Sequence, residues 1–194
     1  MQRGISTFLE GVIEASRSSA TEPRADLAGV PTRVARAWRD ELLSGYRQDP
    51  AKILDPLPAG PERDLVAAKD IEFTSVCRHH LLPFLGKVHI AYVPDRKIAG
   101  VSSLGRLVDC LSRRLQLQET LTRQIAEAVQ EHLRPEGALC LIEASHTCMT
   151  VRGARKVHSR VVTSAYTGLF ERQASRRLEA MALLGQSKQE SPRQ

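Results

Sequence analysis

Two short runs, whose cysteines stand 71 positions apart, constrain this chain more than anything else in it. Cys77-Arg78-His79-His80 closes the apolar-rich run Ile71 to Val76, and Glu143-Ala144-Ser145-His146-Thr147-Cys148 closes Gly137 to Ile142. Each places a cysteine and at least one histidine where a buried strand is expected to give out. Zinc favours thiolate and imidazole ligands, and three protein ligands with an open fourth position form a catalytic site. Cys77, His80 and Cys148 would supply three, with His79 and His146 nearby for proton transfer. Taken singly, each residue has a plainer explanation. A free cysteine often behaves as a small core residue, and a lone histidine on a strand is usually a satisfied core group. The clusters lie too far apart for a local zinc-finger pattern. Spacing alone leaves both explanations open.

Composition narrows the class of protein. At 194 residues the chain is long enough to bury a real core, with one main domain as the default. No apolar run approaches the roughly 20 residues of a membrane span. Residues 1–10 lack the long apolar region of a signal peptide. Four scattered cysteines suit reduced thiols rather than a secreted disulfide scaffold, so a cytoplasmic setting is expected. The net charge of +6 invites a nucleic-acid partner. The basic residues are spread along the chain, however, and only 4% of residues are aromatic, leaving few stacking platforms. An anionic small substrate suits that charge better, so neither nucleic acid nor membrane is expected as a partner.

Periodicity gives the order of elements. Ile5, Phe8, Leu9, Val12 and Ile13 predict an amphipathic helix over residues 4–17. A polar linker over 17–26 precedes a second helix, which begins at Pro31 and stops at Gly45. A proline-rich loop over 48–63 leads to strands at 65–76, 87–93 and 97–99. Ser102 and Ser103 offer N-cap hydroxyls to a helix burying Leu104, Leu107, Val108 and Leu111, and a further helix spans 118–133. Strands at 138–143 and 160–165 and a terminal helix at about 172–184 complete the pattern. This β-β-α-α-β-β order is α+β, with antiparallel strands and helices on one face. The expected organisation is a helical arm and linker (1–60), a main domain (61–185) and a flexible tail (186–194).

Cys77-Arg78-His79-His80-Leu81-Leu82-Pro83-Phe84, followed by Gly86-Lys87, resembles the Cys-Glu-His-His-x-x-Pro-Phe-x-Gly-Lys signature of GTP cyclohydrolase I. The likeness continues through Ala91-Tyr92-Val93-Pro94, Arg113 to Glu119 and Leu121 to Ala126, and resumes at His146-Thr147-Cys148-Met149-Thr150-Val151-Arg152-Gly153. It implies the tunnelling fold, a toroidal homodecamer and active sites between subunits. It also implies zinc held by Cys77, His80 and Cys148, and hydrolytic opening of the guanine imidazole ring of GTP. Formate would leave and 7,8-dihydroneopterin triphosphate would form, feeding pterin or folate-type biosynthesis. By the same resemblance His79 protonates the purine nitrogen beside C8, His146 is a second acid/base, and Ser102 lies near the ribose oxygen. Gln118 and Glu119 read guanine, while Arg106, Arg152 and, from a neighbouring subunit, Arg33 meet the triphosphate. His89, His132, His158, Cys110 and Cys140 match no role and read as packing or surface.

Two positions depart from the family pattern. The signature glutamate is Arg78, and the lysine that usually follows the pocket serine is Ser103. A compensating exchange of cations would keep GTP as substrate. A same-fold zinc hydrolase acting on a different guanine nucleotide is the alternative.

Overall fold

The computed structural model of the protein describes residues 1–15, 29–61 and 63–185. The expected linker over 17–26 and the tail over 186–194 lie outside the described residues. The chain divides into two compact units, Met1–Ser44 and a larger one beginning at Gly45. The first holds α1 (Gln2–Ala15) and α2 (Val30–Ala37), with Pro31 in the opening turn of α2, where a missing N–H costs nothing. The second helix does not run unbroken to Leu43. It widens at Trp38–Leu42 into a π turn, closed by Leu43 N–H on Trp38 O at 2.9 Å. Residues 45–60, expected with the arm, belong to the second unit, where Leu54 is buried in the main core.

The second unit is built on a five-stranded sheet. After β1 (Pro56–Pro58) come β2 (Val66–Cys77), β3 (Pro83–Val93) and β4 (Lys97–Ala99). Then follow α3 (Val101–Ser112), β5 (Leu115–Gln116), α4 (Gln118–Leu133) and β6 (Gly137–His146). The chain continues through α5 (Thr147–Thr150), β7 (Val161–Tyr166), α6 (Leu169–Arg172) and α7 (Ala174–Gly185). The sheet order is β5-β2-β3-β6-β7, antiparallel except for the short parallel ladder of β5 on β2, while β1 and β4 pair separately. This is the α+β arrangement expected, and it is consistent with the tunnelling fold. Strands β3 and β6 both run further than periodicity suggests, because their ends remain hydrogen-bonded to each other as far as Phe84 opposite His146.

Alternation sorts the side chains. Phe84, Val88, Ile90 and Tyr92 of β3 face the same way as Ala138, Cys140, Ile142 and Ala144 of β6. They form the main core with Leu104, Leu107, Val108 and Leu111 of α3 and Leu121, Ile125 and Val129 of α4. The structure adds a second cluster on the opposite face, at the far end of the same strands. There Ala91, Val93 and Leu139 pack with Phe170, Ala180 and Leu184. The terminal segment is two helices rather than one, broken at Gln173 between α6 and α7. The α3 start also differs from expectation. Gly100 takes the N-cap position, and Ser103 turns back so that its hydroxyl donates to Gly100 O at 2.6 Å.

Two features of the β3 ladder can be tested. A Cβ at Gly86 would overlap the Glu143 carbonyl oxygen and the Ala144 Cα across the β3–β6 pair. Gly86→Ala should therefore cost about 3 kcal/mol in chemical denaturation. A loss below about 0.5 kcal/mol would contradict the close approach. At the β2 bulge, Asp70 adopts φ 56° and its N–H donates to Nδ1 of the buried His89 at 3.2 Å. Burial holds His89 below its ordinary pKa. Asp70 and Glu143 oppose that shift, and Lys69 and Lys87 add to it. A depressed folded value means that stability is full above the unfolded value of about 6.5 and is lost as pH falls through the folded one. The urea midpoint should accordingly drop further between about pH 7.5 and 5 in the wild type than in His89→Gln, whose amide oxygen can take the Asp70 N–H. Parallel pH profiles would refute this assignment.

Candidate metal centre

Three neighbouring strands deliver the site. β2 ends at Cys77, a turn over residues 78–82 follows, and β3 starts beside the end of β6. The turn closes through Leu81 N–H to Cys77 O at 2.8 Å and Cys77 N–H to Leu82 O at 2.9 Å. Leu81 sits in the left-handed region at φ 55°, a conformation that costs a non-glycine residue some strain. On the other side β5 clamps the same end, with Arg78 N–H donating to Gln116 O at 3.1 Å. The buried Gln116 amide is anchored in turn on Leu111 O (2.7 Å) and Gln124 Oε1 (2.8 Å). Past β6 the chain winds into α5, and the Thr147 hydroxyl ties this turn to Pro83 O at 2.6 Å.

These constraints bring Cys77, His80 and Cys148 together, with their ligand atoms all within 4.8 Å of one another. Cys77 Sγ and His80 Nδ1 are 3.9 Å apart. Zinc–sulfur bonds of about 2.3 Å and zinc–nitrogen bonds of about 2.0 Å set at a tetrahedral angle require edges of about 3.5–3.8 Å. The three donors therefore need only a small contraction to hold such an ion. Cys77 is buried, Cys148 half-buried and His80 exposed, so the cradle is closed behind and open on the histidine side. Burial, and next the adjacent Cys77 thiol, pushes the Cys148 thiol up, and Arg152 partly opposes them. A cation between the two sulfurs removes that penalty, as expected of a ligand set that must be deprotonated to bind. Strand alternation is not what relates His146 to Cys148. The strand stops at His146, and the helical turn of α5 carries Cys148.

His146 is held on two sides. Its ring stacks on Phe84, with centroids 4.6 Å apart and planes 2° from parallel. Its Nε2 lies 2.8 Å from Gln118 Oε1. Burial lowers the His146 pKa, and the Glu119 carboxylate pulls it back up. His79 lies exposed in the turn between the two ligands of the first cluster, its ring 6.1 Å from that of His80 and edge-on to it. Glu119 is exposed in the first turn of α4, whereas Gln118 is only 2% exposed. Ser102 and Arg106 form an exposed pair on α3, joined by a hydrogen bond from Arg106 Nη1 to Ser102 Oγ at 3.2 Å. Arg152 is exposed just past α5, and Arg33 is exposed on α2 in the first unit.

Sequence reading gave no part to Phe84, Thr122, Thr147 or Thr163. One signal was available. Gln118 and Thr122 are polar residues one turn apart on the face of α4 that also carries Leu121, Ile125 and Val129, where burial demands partners.

Known proteins resemble the chain over most of its length. The family model for GTP cyclohydrolase I matches residues 7–185. The GTP cyclohydrolase 1 of Wolinella succinogenes is 50% identical over 159 residues, which span 81% of this chain and 84% of that protein. That of Campylobacter lari is 47% identical over 167 residues, 86% of this chain and 87% of its own. The chain belongs to the GTP cyclohydrolase I family. Among solved structures, an archaeosine synthase QueF-like protein in its apo form covers 55% of this chain at 18% identity and a TM-score of 0.46, too weak a likeness to bear on the fold.

The cradle makes a direct prediction for this family member. Titration with Co2+ as a spectroscopic probe should show thiolate-to-metal absorption at one ion per chain. Cys77→Ala and Cys148→Ala should each weaken binding by more than the roughly 10–100-fold typical of residues that merely support a ligand. Unchanged affinity in either variant would dismantle the proposed donor set.

Proposed function

We propose that this chain is a GTP cyclohydrolase I, which opens the guanine imidazole ring of GTP, releases formate and yields 7,8-dihydroneopterin triphosphate. The observation that carries it is the convergence of Cys77, His80 and Cys148 beside a fixed His146, in a chain that matches the family almost throughout. Zinc is the ion that suits two thiolates and an imidazole, and when bound it lowers the pKa of water from about 15.7 to about 7. The remaining chemistry falls to side chains. His79, exposed in the turn, would protonate the purine nitrogen beside C8, and His146 would move the second proton. Histidine suits both tasks, since its unperturbed pKa of about 6.5 lies near neutrality.

Substrate recognition follows from charge and shape. The Glu119 carboxylate can accept from both N1–H and the 2-amino group of guanine, a pair that adenine does not offer. Arg106 and Arg152 suit phosphate oxygens, which guanidinium binds through two donors at once, and Ser102, bonded to Arg106, suits the ribose. Arg33 would reach the triphosphate from a neighbouring subunit of a homodecamer. Ser103, 1% exposed, spends its hydroxyl on Gly100, and Arg78, exposed in the metal-site turn, would be the cation that compensates for the family's lysine. The product would enter pterin or folate-type biosynthesis in the cytoplasm. Among the described residues no helix is long and apolar enough to cross a membrane.

Zinc-loaded protein given GTP should release formate together with a fluorescent pterin. His146→Ala should lower kcat by about 10²–10⁴-fold while keeping one zinc per chain. A zinc-replete wild type that releases no formate from GTP would end this proposal.

A further inference from the structure

The environment of Gln118 carries more than a place in substrate recognition. Its side-chain nitrogen lies 2.9 Å from Val161 O, 3.2 Å from Ile142 O and 3.0 Å from Thr163 Oγ1. Backbone carbonyls only accept, so that end of the amide must be the NH2 group, and the orientation follows from chemistry. The hydroxyls agree. Thr122 donates to Gln118 O at 2.7 Å, so the 2.6 Å contact between Thr122 and Thr163 needs Thr163 as donor. The Thr163 oxygen is then free to accept from Gln118. One directional circuit therefore runs from the Gln118 amide through Thr163 and Thr122 to the Gln118 backbone. Oε1 is the only end left for His146, and it too can only accept. Nε2 of His146 must carry the hydrogen.

We infer that Gln118 is a positioning residue, which locks His146 as the Nε2–H tautomer and leaves Nδ1 as the nitrogen without a hydrogen. Phe84 fixes the ring plane by stacking, and Gln118 fixes rotation within that plane. Two restraints on one imidazole remove its rotational freedom and its choice of tautomer. With its amide fully engaged and 2% exposed, Gln118 has no donor to offer a ligand, and guanine reading falls to Glu119 alone. This inference rests on the reading of His146 as an acid/base. The tautomer can nevertheless be measured without turnover, so the two can fail separately.

The test uses zinc-loaded, 15N-histidine-labelled full-length protein. His146 in the wild type should show a pyrrole-type Nε2 and a pyridine-type Nδ1. Gln118→Met, close in size and unable to hydrogen-bond, should mix the tautomers and lower kcat for formate release by about tenfold to a hundredfold. KM for GTP should stay within about threefold, with zinc stoichiometry unchanged. Thr163→Val, which removes one acceptor of the circuit and keeps the packing, should shift both readouts the same way by less, and it covers the case of a Gln118 variant that does not fold. An Nδ1–H tautomer in the wild type would overturn the inference. So would a Gln118→Met enzyme with raised KM, normal kcat and relaxed preference for guanine, the behaviour of a direct reader.

Discussion

The pairing of β3 with both β2 and β6 is the constraint on which the rest depends. Pro83–Val93 is the central strand of the sheet, and its antiparallel ladders set the end of β2 and the end of β6 at the same edge. Residues 71 positions apart become neighbours through one intermediary strand. The energy for this comes from elsewhere in the fold. Phe84, Val88, Ile90 and Tyr92 are essentially inaccessible to water and pack against α3 and α4. Burial of such side chains contributes about 1.5–3 kcal/mol each. Apolar packing thus holds the strands together, and their register positions polar groups that could not stabilise one another on their own.

The polar layer above that core is unusually complete. Gln116 and Gln118, two residues apart at the α3–α4 junction, are both buried, and each spends its amide on carbonyls and side-chain partners. Among the described residues no buried side-chain nitrogen or oxygen lacks a partner. A half-satisfied network of this kind would cost more than an apolar one. Its completeness lets His146 stand at the boundary between core and solvent without loosening either.

Much of this was legible in the sequence, for identifiable reasons. Strong apolar periodicity marked α4 to the residue, and the strand cores stood out because their alternating positions are uniformly apolar. The candidate metal donors drew notice as Cys and His at two strand ends, but only the family resemblance chose a ligand set over ordinary core residues. What escaped was set by three-dimensional context. The start of α3 follows from Ser103 bonding backward instead of capping forward. Cys148 sits on a helical turn that a period of two could not foresee. The extra length of β3 and β6 comes from pairing between the start of β3, Pro83 to Gly86, where proline and glycine suggest a loop, and the end of β6. The partners of Gln118 lie at Val161 and Thr163 of β7, far along the chain, so the α4 pattern can signal its burial but not what it bonds to.

The position of the metal donors just beyond the strand ends has a consequence for folding fidelity. A two-residue slip of β6 along β3 would preserve the inward and outward alternation and bury much the same apolar surface. It would also displace Cys148 by about 7 Å relative to Cys77, further than the spread of the present donor atoms. A bound ion would thus favour the present register over a slipped one. Metal binding would then reward only the chain that has paired correctly.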